Sequence, residues 1–319
     1  MTHRPDAVVP ILRSGLLARQ FCQRVAFANV EAVFARCLYL RRDDDFVCIG
    51  APDIGNGPLT LIANVAVLST LRSLAGQAAL VSGDGIAIGN SVRFSLDQSE
   101  LWRPLRWPPC PPLARLTNIC ALLASRAATA APQEGLARCV IGENPAPLAR
   151  VVRPRIAMFK RWLSDLRDGR PVPAAASREA VQGLIGLGPG LTPSGDDFLA
   201  GALALLDAIG EREAHDAMAR AILDALGGRT TPLSGCLLRA AAAGHVGEKL
   251  HQIVSLLMTG DIDAAIAGAG KIGHSSGWDM IAGVLTALRI AAVRSKIPPA
   301  ACTLDGIFSK DGILNADAA

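Results

Sequence analysis

The sequence predicts an α+β protein: a β-rich N-terminal domain over residues 1–110, then a larger all-helical domain over residues 111–319. Three observations carry that prediction. Short apolar runs separated by turn residues fill the first hundred positions. The stretch RPLRWPPCPP at 103–112 then interrupts them, because its prolines continue neither strand nor helix. Beyond it the pattern lengthens into amphipathic segments. Half of all residues are apolar but only 4% are aromatic, a composition suited to close helix packing.

In chain order, the expected strands are VFARCLYL (33–40), FVCIG (46–50), LTLIA (59–63), AALVS (78–82) and IAIGN (86–90). Asp43-Asp44-Asp45 and Asn56-Gly57-Pro58 mark turns, and Gly83-Asp84-Gly85 marks a hairpin. Helices are expected over LARLTNICALLASRAATA (113–130) and from Leu148 to Leu166. Further helix starts are expected at Ser177, the Thr192–Ser194 region, Thr231-Pro232, Asp261 and Ser276.

The charge balance, 32 basic against 28 acidic residues, lacks the concentrated basic footprint that nucleic acid requires. Arg4, Arg13, Arg19 and Arg24 break the early apolar runs, so no signal peptide is expected. The runs at 198–209 and 280–293 are too short or carry charge (Arg289), so no membrane span is expected. The expectation is a cytoplasmic protein. Its eight cysteines form no CxxC pair and read as reduced, mostly buried thiols.

The chemistry concentrates in GLGPGLTPSGDDFLAG, residues 186–201. SGDDFLAGAL at 194–203 is echoed by SGWDMIAGVL at 276–285, with six of ten positions matching at an offset of 82 residues. A third hydroxyl-rich start, with Thr230, Thr231 and Ser234, lies between them. At a helix N-terminus the first N–H groups lack partners and the dipole favours an anion, while glycine admits close approach. Ser194-x-x-Asp197 and Ser276-x-x-Asp279 also have capping-box spacing, so two ordinary caps are the competing account. A third account is magnesium bound by Asp196, Asp197 and Asp279, loosely resembling the ADP-ribosylglycohydrolases. No cofactor other than this possible Mg is expected. His274 is the best-placed histidine, whereas His215, His245 and His251 fall in helical stretches. Lys271 reads as a surface lysine or a phosphate partner. Asn56-Gly57-Pro58 reads equally as a turn or as a loop reaching the site.

GLGPGLTPSGDDFLAG, GNGP at 55–58 and GHSSGWDMIAG at 273–283 together resemble the AllH-like family, over roughly residues 25 to 295. The resemblance implies a subunit of an oxamate carbamoyltransferase, acting on oxamate, carbamoyl phosphate, oxalurate and phosphate. It also implies FdrA-like and AllG-like partner subunits; a homo-oligomer is the alternative. On this reading Gly188, Gly190, Thr192, Ser194, Gly195, Thr231, Ser234 and Asn56 bind substrate, as do Ser275, Ser276 and Gly277. His274 helps Ser275 and Ser276 hold the second anion, Asp197 and Asp279 orient the loops, and Asp196 acts as a base or contacts the carbamoyl NH₂; Asp196, Asp197, His274 and Asp279 are the catalytic candidates. The Ser-x-Arg-Thr motif of aspartate and ornithine carbamoyltransferases is absent. A metal-dependent hydrolase and a non-catalytic scaffold subunit are the alternatives.

Overall fold

The computed structural model describes residues 7–64, 72–142 and 147–293. Among the described residues strands occupy 7–102 and, apart from one short α-helix and a 3-10 turn at Pro52–Ile54, the helices lie between 113 and 291. The first part runs β1 (Ala7–Gly15), α1 (Leu16–Gln23), β2 (Ala26–Val33), β3 (Cys37–Arg42), β4 (Asp45–Gly50), β5 (Thr60–Ala63), β6 (Ala78–Ser82), β7 (Gly85–Ile88), β8 (Val92–Ser95) and β9 (Glu100–Trp102). Hydrogen bonding follows the order β5-β4-β3-β2-β6-β7-β8-β1, and β1 returns to β5 to close an eight-stranded barrel. β9 adds in parallel to the last residues of β1. Leu38, Leu40, Val47, Ile49, Val81, Ile86 and Phe94 fill the interior, and α1 packs Ala18, Phe21 and Cys22 against the same cluster. Closure leaves no long open edge.

The helical part comprises α2 (Leu113–Ala130), α3 (Ala137–Ile141), α4 (Pro147–Arg167), α5 (Ala174–Gln182), α6 (Ser194–Ala208), α7 (Arg212–Leu226), α8 (Pro232–Ala242), α9 (Glu248–Thr259), α10 (Ile262–Ala269) and α11 (Ser276–Ala291). α6 and α11 are its central pair, with most of their residues buried. Their approach is close enough to require glycine. A Cβ on Gly201 would collide with the Met280 carbonyl, and one on Gly283 would collide with the Phe198 carbonyl. Because Gly283 and Met280 are the echo counterparts of Gly201 and Phe198, these contacts are reciprocal. The echo is therefore an approximate two-fold between two helices.

Several expectations need correction. VFARCLYL is not one strand: Val33 ends β2, Cys37 begins β3, and Phe34 N–H bonds the Cys37 carbonyl across the turn. β1, α1, β8 and β9 lie in stretches where no element was expected. Ser177 lies inside α5, which starts behind Pro173; its hydroxyl accepts Trp162 Nε1–H at 3.0 Å. His245 lies between α8 and α9, not in a helix. Thr231 and Asp261 do cap helices, accepting the N–H groups of Ser234 and Ala264, each at 3.1 Å. Ser194 and Ser276 do not form capping boxes: each is the first residue of its helix, and neither start has a side-chain cap. Among the described residues no helix is long and apolar enough to cross a membrane. Cys302 lies outside the described residues; Cys22, Cys37, Cys48, Cys110, Cys120 and Cys236 are free thiols, with Cys110 exposed.

Candidate functional site

A cavity of about 380 Å³ lies between the barrel and the helices. The barrel side supplies Cys37, Tyr39, Cys48 and the Gly55–Thr60 loop; the helical side supplies Thr192, Asp196, Asp197, Ser234, Lys249 and Ser276. Phe46, Leu233 and Met280 make part of its wall apolar. The loop is pinned to α9. Glu248 Oε2 accepts the Asn56 backbone N–H at 2.9 Å and its Nδ2–H at 2.8 Å, and the Asn56 carbonyl accepts Glu248 N–H at 2.9 Å. These bonds leave Asn56 Oδ1 buried without a partner.

The two echoed helix starts meet in space. Thr192 Oγ1 lies 3.2 Å from Ser276 Oγ. The hydroxyls cross between the helices: Ser276 faces Asp197 and Ser194 faces Asp279, following the same two-fold as the glycines. Burial pushes the Asp197 carboxyl up to about 8; nearby Asp279 and Asp196 add to this, while the hydroxyls of Ser276 and Thr192 oppose it. Burial likewise pushes Asp279 up to about 6, against the Leu136 N–H and the hydroxyls of Ser194 and Ser275. Asp279 is fully enclosed, and its Oδ1 accepts Leu136 N–H at 2.6 Å. Asp197 lines the cavity, and its Oδ2 is buried without a partner.

Asp196 has a different setting. Its Oδ1 accepts Gly186 N–H at 2.8 Å, and its Oδ2 accepts the Ser234 hydroxyl at 2.7 Å and the Thr230 hydroxyl. It thus ties the glycine loop, where Gly186, Gly188 and Gly190 all have positive φ, to the start of α8. Three donors occupy both its oxygens. Among the described residues no three His, Cys, Asp or Glu side chains converge as a metal-ligand group.

Of the residues singled out from sequence, Asn56, Thr192, Asp196, Asp197, Ser234 and Ser276 line the cavity. Gly188, Gly190, Ser194, Gly195, Thr231, Ser275, Gly277, His274 and Asp279 do not. His274 and Lys271 are exposed. The Gly195 and Gly277 N–H groups bond the carbonyls of Leu187 (2.8 Å) and Ile272 (3.0 Å), so the loops themselves use these helix-start donors. His251 stacks on Trp107 with ring centroids 4.0 Å apart. Sequence reasoning missed Lys249, Glu248 and the Cys37–Tyr39–Cys48 face. Lys249 carried one local signal, its place in the first turn of α9 beside Gly247.

No solved structure matches this chain. Residues 184–288, from just before the glycine loop through most of α11, match the family described as oxamate carbamoyltransferase subunit AllH, so over this stretch the chain is consistent with an AllH-like family.

Proposed function

We propose that the chain is a subunit of an oxamate carbamoyltransferase-like enzyme, working with partner subunits. Its cavity holds a small anion bearing an amide or ureido group: carbamoyl phosphate, oxamate or oxalurate. The observation that carries this reading is a pair of unpartnered buried atoms of opposite need, Asp197 Oδ2 and Asn56 Oδ1, on two residues that line one cavity. With its pKa near 8, Asp197 is protonated at pH 7. A neutral carboxyl donates a hydrogen bond to a ligand oxygen without repelling negative charge. Asn56 Oδ1 accepts an N–H from the same ligand. Leaving either atom unpaired costs about 1–3 kcal/mol, which a ligand with both groups would recover. The Thr192 and Ser276 hydroxyls and the Lys249 ammonium complete the polar wall.

In carbamoyl transfer negative charge builds on the carbonyl oxygen, and a fixed neutral donor in a dry site stabilises it. The amide contact, one of the two roles expected of Asp196, falls instead to Asn56, because hydrogen bonds within the fold engage both Asp196 oxygens.

Titration calorimetry with carbamoyl phosphate, oxamate, oxalurate and Mg²⁺ tests the reading, on the chain alone and with its partner subunits. At least one anion should bind without metal, and its affinity should fall as pH rises through 8, where Asp197 ionises. Asp197→Asn keeps a donor and should bind with little pH dependence. No heat from any of the four ligands, even in the assembled complex, would leave a scaffold subunit; the α6–α11 echo would then serve packing alone.

A further inference from the structure

The barrel gives the cavity a wall that the proposed ligand contacts leave unused. Alternation along β3 and β4 turns Leu38, Leu40, Val47 and Ile49 into the barrel and sends Cys37, Tyr39 and Cys48 out to the cavity. The antiparallel register sets Tyr39 opposite Cys48 and Cys37 opposite Gly50, so two thiols and a phenol are neighbours on one face. Both thiols are free, and Cys37 is partly open. Cys48 and Tyr39 share the face and register of Cys37, where their S–H and O–H groups favour its thiolate. Those contacts bring Cys37 down to about 7, the Cys48 contact most strongly, although burial opposes them. The contact with Cys37 and burial hold the Cys48 thiol well above its usual range. Burial, then the adjacent thiols, raises the Tyr39 phenol. Cys37 is therefore the member of the cluster that ionises most readily, and the other two remain donors.

We propose that Cys37 is a nucleophilic thiol, a covalent modification site for soft electrophiles admitted to the cavity, with Cys48 and Tyr39 stabilising its thiolate. The Cys37 sulfur attacks an electrophilic carbon. The sulfur–carbon bond forms as the bond to the leaving group breaks, and the leaving group departs with the electron pair. The proton of Cys37 has already passed to water. This reactivity does not depend on the identity of the metabolite proposed above.

The probe is iodoacetamide, from which iodide departs, applied briefly to the full native chain at pH 7 before digestion with trypsin. Cleavage after Arg36 and Arg41 releases Cys37 in CLYLR, and cleavage after Arg106 and Arg115 releases exposed Cys110 in WPPCPPLAR. If exposure governed the rate, Cys110 would lead. The proposal predicts that Cys37 leads by about 3- to 10-fold, the gain in thiolate fraction discounted for its lower intrinsic nucleophilicity. Tyr39→Phe and Cys48→Ala should each slow Cys37 about threefold and leave Cys110 unchanged, which also reports that the fold is intact. Equal or faster labelling of Cys110, labelling of Cys37 only in urea, or a Cys37 rate unmoved by both variants would overturn it. The wild-type comparison stands by itself should a variant fail to fold.

Discussion

The starts of α6 and α11 share Ser, Gly and Asp at matching positions yet have different surroundings. Asp197 lines the cavity, whereas Asp279 is fully enclosed and holds the Leu136 N–H; each keeps one buried Oδ2 without a partner. The same four-residue pattern thus serves packing at one end of a two-fold and faces a cavity at the other. What separates the two is the neighbour. The barrel loop and α9 stand over Asp197, and the α2–α3 connection stands over Asp279. A repeated motif therefore need not mark two equal sites.

The largest effects should fall where the two halves are still alike. Gly201→Leu and Gly283→Leu each drive a side chain into a backbone carbonyl of the opposite helix, which cannot swing aside. Each should cost at least about 3 kcal/mol, measured by urea unfolding, and by similar amounts because the contacts are reciprocal. If one were tolerated and the other not, the two-fold would be the wrong description of the pair.

A smaller effect separates the halves. A carboxyl whose folded pKa lies above its unfolded value contributes its stability in full below the unfolded pKa. That contribution fades as pH rises through the folded pKa. For Asp197 the fading runs from near 4 to about 8; for Asp279 it ends near 6. Asp197→Asn should therefore gain on wild type steadily between pH 5 and 8, while Asp279→Asn gains little above pH 6. Asp279→Asn also removes a charge that raises Asp197, so in that variant the upper limit should move down. Unfolding curves at stepped pH check both windows, and coincident windows would erase the distinction between the two starts.

Much of this comparison was legible in the sequence, because the echo, the glycines and the helix at 113–130 depend on local pattern. The barrel was only half legible. β1 gains its partners from β5, β8 and β9, all distant in sequence, and Arg13 and Ser14 break the alternation that would have announced it. The capping-box alternative fails because the Ser194 and Ser276 hydroxyls serve the carboxyl of the opposite helix, which spacing within one helix cannot reveal. The cavity could not be read at all. Asn56 and Glu248 stand 192 residues apart, and each has an ordinary local context.

The smallest expected effect concerns His274. By sequence it was the best-placed histidine, two residues ahead of the second echo. The turn before α11 leaves it exposed and outside the cavity wall, while Lys249 enters that wall from α9. His274→Ala should then change stability by no more than about 0.5 kcal/mol and leave anion affinity unaltered. Lys249→Ala should weaken binding about tenfold, near the value of one partly buried charge-assisted contact. Calorimetry on the two variants side by side decides which of the two side chains serves the site. Loss of binding in His274→Ala with Lys249→Ala unaffected would return the site to the α11 turn and away from the barrel-facing cavity.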